Sequence, residues 1–165
     1  MSVDEHKKDA PEKIRFSILT ISDRCSRGDA EDISGSYILT EVSKTDDVVE
    51  HRTVPDEVGP IREAVIELMD GCDCLVTTGG TGVARRDVTI PAIEPLITKQ
   101  LPGFGELFRS LSYEEVGTAA MMSGAMSGII GNGAVFCLPG SLPAVRLGMT
   151  IVTSESHHLI KHLRD

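Results

Sequence analysis

The chain contains no tryptophan, two tyrosines and four phenylalanines. So few aromatic rings leave little with which to stack bases, and a net charge of −9 repels a phosphate backbone. Nucleic acid is therefore not expected as a partner. Long apolar runs are also missing, and the opening MSVDEHKKDAPEK has no apolar leader core, so the chain reads as non-membrane and cytoplasmic. The four cysteines (Cys25, Cys72, Cys74, Cys137) form no C-x-x-C pair and suit a reducing compartment. Cys72 and Cys74, two apart, are expected in the core on one face of a strand. H-E-x-x-H is absent too, so His158 and His162 read as a solvated helix face rather than a zinc site. Every histidine but His51 lies in the terminal segments, so no Ser-His-Asp order can be assembled.

What is present is an ordinary globular composition, 41% hydrophobic over 165 residues. A chain of this length buries roughly 70% of its unfolded surface. It reads as one domain, 14–165, behind a charged mobile tail, 1–13. Ile14 to Ser22 reads as a strand, followed by a polar loop from Ser22 to Gly28. A helix opens at Ser34 and runs to about Lys44. Val48 to Val54 is a second strand, closing in Pro55-Asp56-Glu57, and Val58 to Met69 is a helix with Ile61, Val65, Leu68 and Met69 on one face. Cys72 to Val76 begins a third strand. This alternation predicts an α/β fold, a central mainly parallel sheet with helices on both faces.

The third strand leads into Thr77–Thr89, TTGGTGVARRDVT, where Gly79, Gly80 and Gly82 crowd four positions. A glycine-rich turn after a strand lets backbone amides face an anion without Cβ interference. No Walker lysine follows, and the spacing is not G-x-G-x-x-G. Arg85 and Arg86 add positive charge beside Asp87, a combination suited to phosphates carrying a divalent cation. The plain alternative is a tight turn, a surface ion pair of Asp87 with an arginine, and a helix capped by Thr89. The polar clusters at Ser22–Arg27, Pro55–Glu57 and Gly79–Asp87 all follow strands, so they are expected on one rim, where open α/β sheets bind ligands.

The second half is less regular. Pro102 to Glu106 reads as a turn into a helix through Leu107, Phe108 and Leu111, and Ala119 to Met122 as a short apolar helical piece. Ala125–Ile130 and Ala134–Leu138 read as strands of a hairpin around Gly131-Asn132-Gly133. Pro139-Gly140-Ser141 then precedes a helix with Ser141 as N-cap, a second candidate anion site.

TTGGTG, RRDVT, PGFGELFR, LSYEE and LPGS, in this order and at these distances, resemble the MoaB/MogA family of molybdenum-cofactor biosynthesis, most nearly its MoaB branch, from about Arg15 to about Met149. The family also includes the gephyrin G domain. The resemblance implies a three-layer α/β fold assembled as homotrimers or homohexamers. It also implies molybdopterin adenylyltransferase activity, with ATP and molybdopterin as substrates and Mg²⁺ as the ion. The family's two essential acids correspond to Asp56 and Asp87, which the resemblance makes catalytic and Mg²⁺-binding. It extends substrate and nucleotide contacts to Ser22, Asp23, Thr78, Gly79, Gly80, Thr81, Gly82, Arg86, Ser123, Pro139, Gly140 and Ser141, and leaves room for other pathway proteins as partners. The chain has Ser123-Gly124 where the family commonly has Ser-Arg, which removes an anion contact. A molybdopterin-binding carrier without turnover, another nucleotide or pyrophosphate activity, and a plain assembly module are the rival readings.

Overall fold

The computed structural model describes residues 10–165. Most of the tail, residues 1–9, lies outside the described residues. Pro11, near its end, accepts a hydrogen bond from His157 Nδ1 at 2.7 Å.

Six strands form one sheet in the order β2-β1-β3-β6-β5-β4. Strand β1 (Arg15–Ile21) is buried at every residue but its first, as a central strand covered on both faces must be. It pairs in parallel with β2 (Asp47–Val54) on one side and β3 (Cys74–Thr78) on the other. The chain therefore leaves β1 in one direction and returns across it in the other, which opens a crevice at the carboxyl ends of β1 and β3. Beyond β3, β6 (Gly133–Leu138) is also parallel. β5 (Met126–Ile130) joins β6 as the expected antiparallel hairpin, with Gly131 at φ 58° in its turn. A two-residue edge strand, β4 (Lys99–Gln100), was not expected and completes the sheet.

The two helical layers follow from strand alternation. On one face Phe16, Ile18, Val76 and Phe136 pack with Ile38 and Val42 of α2 (Ile33–Val42), Phe104 and Phe108 of α5 (Pro102–Val116), and Val145, Met149, Val152 and Ile160 of α6 (Leu142–Arg164). On the other, Leu19, Ile21, Leu75 and Val135 pack with Ile61, Ala64, Val65 and Leu68 of α3 (Val58–Gly71) and with Ala92 and Ile93 of α4 (Thr89–Ile93). Each fully buried Ile, Leu or Phe stabilises the fold by about 1.5–3 kcal/mol. The result is the expected three-layer sandwich. None of the described helices is long and apolar enough to cross a membrane.

Several expectations change. The polar loop after β1 contains a helical turn, α1 (Asp23–Ser26), because Ser22 Oγ accepts from Cys25 N at 3.2 Å. The next helix is capped by Asp32, which takes the Gly35 amide at 2.7 Å, rather than opening at Ser34. Pro102–Glu106 is not a turn before α5 but its first residues, since Pro102 suits the first helical position, where no amide bond is needed. Ala119–Met122 belongs to a 3-10 stretch, Gly117–Met122. Cys72 and Cys74 lie in opposite core layers, because Cys72 ends α3 and precedes the strand whose alternation would have aligned them. In the second half Phe104, Phe108, Ile129, Phe136, Leu138, Val145 and Met149 are core, whereas Leu107, Leu111, Tyr113, Val116, Met121 and Met122 are exposed, Met121 at 81%.

Candidate active site

Four loops meet at the carboxyl ends of β1, β2, β3 and β6. The first two are laced together by reciprocal bonds. Asp56 Oδ2 accepts the Asp23 amide at 2.9 Å, and Asp23 Oδ1 accepts the Asp56 amide at 3.0 Å. Ser22 N also donates to Val54 O, the last residue of β2. The glycine loop crosses next to them. A Cβ at Gly79 (φ 102°) would collide with the Ile21 carbonyl, and one at Gly80 (φ 65°) would lie 3.1 Å from Asp56 Oδ1. Both glycines are therefore required twice over, by backbone conformation and by close approach. Two residues on, a Cβ at Gly82 would lie 2.7 Å from Asp87 Oδ2. The carboxylate of Asp56 thus lies by Gly80 and that of Asp87 by Gly82.

Asp87 is held by a turn on itself. Its Oδ2 accepts from Ala84 N at 2.9 Å while its own amide donates to Ala84 O. Among the described residues it makes no ion pair with Arg85 or Arg86, which are exposed, so the surface-ion-pair alternative does not describe this loop. Thr89 is fully buried and does not cap α4, whose N-cap position is Val88. Its hydroxyl instead donates to Gly79 O at 2.8 Å and its amide to Gly80 O at 3.0 Å. The residue read as a cap is a tie that holds both left-handed glycines.

The fourth loop, Pro139–Ser141, is drawn in by Thr78 Oγ1 donating to Pro139 O at 3.0 Å and Ser34 Oγ donating to Gly140 O at 2.8 Å. Ser141 occupies the N-cap position of α6 without a side-chain cap bond, and its carbonyl instead takes Val145 N. Two cavities adjoin this loop, one lined by Gly140 and the other by Pro139 and Ser141. One of about 400 Å³ has a polar wall that includes Ser22, Asp32 and Ser34 and an apolar wall that includes Ile21, Ile33 and Leu142. The other, about 190 Å³, lies against Ser123, Pro139 and Ser141. The site residues named from sequence therefore fall into three groups, since Asp23, Asp56, Gly80, Thr81, Gly82, Arg86 and Asp87 line neither cavity. Ser22, Thr78, Gly79 and Gly140 line the larger cavity, and Ser123, Pro139 and Ser141 the smaller. Thr81 is buried in the loop between Gly80 and Gly82, and Arg86 is at its exposed tip. Ser123 Oγ is buried without a partner among the described residues.

Asp32 was missed, though an Asp three residues before Gly35 is an N-cap signal. Its Oδ2 accepts from Thr20 Oγ1 and lies 3.0 Å from His51 Nε2, all packed under Gly35. Burial disfavours the charged carboxylate, but the bonds from His51, Thr20 and the Gly35 amide outweigh it and hold its pKa below the usual range. The larger cavity therefore has a carboxylate in its wall at neutral pH.

Mg²⁺ is commonly held by one or two carboxylates together with substrate phosphates and water. Asp56 and Asp87 beside a loop of close backbone amides suit that pattern, Asp56 having Oδ1 turned to Gly80 while Oδ2 is used by Asp23 N. Among the described residues no group of three or more His, Cys, Asp or Glu is arranged to hold a metal by protein ligands alone.

A family profile described as "Probable molybdopterin binding domain" matches residues 17–158. The chain is 46% identical to the molybdopterin adenylyltransferase of Pyrococcus furiosus, with 100% of both chains covered. It is 42% identical to molybdenum cofactor biosynthesis protein B of Bacillus subtilis, over 99% of this chain and 98% of that one. The crystal structure of the tungsten cofactor synthesizing protein MoaB from Pyrococcus furiosus superposes with a TM-score of 0.90 at 45% identity, covering 94% of this chain and 100% of that chain.

Proposed function

The chain belongs to the MoaB/MogA family of molybdopterin-binding domains, and from that premise we propose that it adenylylates molybdopterin at the expense of Mg-ATP. The terminal phosphate of molybdopterin attacks the α-phosphorus of ATP. A new P–O bond forms, the α–β bridge breaks, and pyrophosphate leaves. The nucleophile is already ionised near neutral pH, so no general base is needed. What the protein must supply is alignment of two anions and neutralisation of their charge.

The observation that carries this reading is the approach of two carboxylates to the glycine loop, Asp56 at Gly80 and Asp87 at Gly82. Asp56 and Asp87 would hold Mg²⁺, which when bound supplies positive charge against the phosphates. The amides of Gly80, Thr81 and Gly82 form the phosphate cradle, the Gly79 amide, expected to join them, being donated to Leu138 O at 3.1 Å instead, and Arg86 at the loop tip adds positive charge. Asp23 fixes Asp56 through the reciprocal amide bonds, and Ser22 and Thr78 contact nucleotide from the larger cavity. Gly140 keeps the approach to Gly79 narrow, since a Cβ there would lie 3.3 Å from Gly79 Cα. Ser123, Pro139 and Ser141 contact substrate in the smaller cavity, where the unpartnered Ser123 hydroxyl gains a hydrogen bond. The working form is a homotrimer or homohexamer. The exposed apolar residues of α5 and its extension, among them Leu107, Val116 and Met121, support it. Light scattering at micromolar concentration tests this, and a monomer would count against it.

The test of function is incubation with molybdopterin, Mg²⁺ and ATP, followed by mass analysis. Adenylylated molybdopterin and pyrophosphate are the expected products. Gly124 in place of the family's usual arginine favours a second reading, a carrier that binds molybdopterin without turnover. Binding with no adenylylated product would establish that reading instead.

A further inference from the structure

We infer that Arg109 is a positioning residue for the phosphate cradle, acting through Gly124 on the Thr81 peptide. The inference rests on the proposed function for its kinetic consequence, and on the geometry alone for its structural one.

The Thr81 carbonyl accepts the Gly124 amide at 3.1 Å. In a planar trans peptide the following N–H points opposite to the carbonyl. Fixing Thr81 O against Gly124 therefore turns the Gly82 amide away from Gly124. Gly82 is also the residue packed against the Asp87 carboxylate. The contact thus sets the direction of a cradle amide.

The approach is possible only because residue 124 is glycine. A Cβ there would collide with Thr81 O and stand 3.4 Å from Ile90 Cγ1. The arginine common in the family would not fit this backbone contact. What replaces its side chain here is a backbone clamp, and the clamp needs an anchor.

Arg109 is that anchor. One guanidinium nitrogen, Nη1, donates to Ser123 O at 3.2 Å and to Ala125 O at 3.1 Å, the two carbonyls that bracket Gly124. The guanidinium folds over Gly105, one helical turn earlier, where a Cβ would be 2.6 Å from both Ala125 O and Arg109 Nη2. Phe104 and Phe108, beside these residues on α5, are buried in the core. The order of support runs from core to α5, to Arg109, to residues 123–125, to Thr81. Among the described residues Arg109 forms no ion pair. Its hydrogen bonds go to two neutral carbonyls, as suits a residue that holds backbone in place.

The test uses the full chain and two readouts. In Arg109→Ala, amide exchange at Gly124 should accelerate roughly tenfold or more, the scale of losing hydrogen bonds to a charged group. Exchange at Val76, in the core strand β3, should be unchanged. In the adenylylation assay, below the onset of unfolding, the KM for Mg-ATP should rise roughly tenfold with a smaller change in kcat. Gly124→Ala should show the same signature, and the double variant little more than either single, because both break one clamp. Arg109→Lys retains the charge without the planar fork, so it should remain near the alanine variant. Unchanged Gly124 exchange in Arg109→Ala overturns the inference, as does full rescue by lysine, which would make Arg109 a source of charge. Kinetic constants unchanged in folded variants would reduce its role to stability and overturn it equally. If the wild-type chain makes no adenylylated product, the functional reading fails while the exchange measurement still decides the clamp.

Discussion

Replacing Thr89 by valine keeps the shape of the side chain and deletes the hydroxyl that reaches Gly79 O. Thr89 is 0% exposed and Gly79 is buried, so water cannot replace the lost donor. An orphaned buried carbonyl costs about 1–3 kcal/mol. For a chain of this size each kcal/mol shifts Tm by roughly 2–4 °C, so Thr89→Val should melt roughly 2–12 °C below wild type. The carbonyl belongs to the loop with φ of 102° and 65° at Gly79 and Gly80, so the loop should loosen before the fold does. Thr89→Asp separates the tie from the cap that the sequence suggested. Aspartate is a good cap, but its carboxylate has no proton to donate to a carbonyl. The variant should therefore be at least as destabilised as Thr89→Val. Thermal and urea melts of both decide it. An aspartate variant as stable as wild type, or a valine variant with unchanged Tm, would refute the reasoning.

Two further outcomes follow from the burial of charged and thiol groups. Burial disfavours the Asp73 carboxylate, but hydrogen bonds from the Arg15 side chain and amide and from Arg164 outweigh it and hold its pKa below the usual range. A depressed carboxylate stabilises the fold above its unfolded pKa of about 3.9 and loses that contribution as pH falls through the native value. Tm should therefore fall steeply below about pH 4, and Asp73→Asn should have a lower neutral Tm with a flatter acid limb. Parallel curves for the two would contradict this. Among the cysteines, Cys72, Cys74 and Cys137 are buried, and burial pushes the Cys137 thiol up to about 12, while Cys25 is half-buried near the rim. A thiol reagent should label Cys25 alone in the native protein at pH 8, and rapid labelling of Cys137 would contradict the packing.

The parallel half of the sheet was legible because strands buried on both faces read as apolar runs, as β1 and β3 do. The convergence of the three loops followed from strand direction alone, and the reciprocal Asp23–Asp56 bonds together with the closeness of Gly80 to Asp56 bear it out. What was hidden depended on distance in sequence. Thr89 looks like a cap because its neighbours read as a helix start, and only the tertiary return of the loop brings its hydroxyl to Gly79. Arg109 lies 14 and 16 residues from its two carbonyl partners, with no local pattern to announce them. The Thr20–Asp32–His51 cluster joins a strand, a cap and an edge strand. Cys72 and Cys74 separated because the strand begins two residues later than the apolar run. Strand β4 was invisible since two residues with no periodicity carry no strand signal.

The central claim is that two carboxylates beside the glycine loop serve adenylyl transfer, and turnover by Asp56→Asn and Asp87→Asn tests it most directly. Each substitution preserves shape and removes the charge that would hold Mg²⁺ on the phosphates. Adenylylated molybdopterin should form roughly two to four decades more slowly in either variant, with molybdopterin binding retained. The double variant should be little worse than the single ones, because the two side chains serve one ion. Wild-type rates in both variants, with Mg²⁺ still required, would contradict the account and remove these residues from the chemistry.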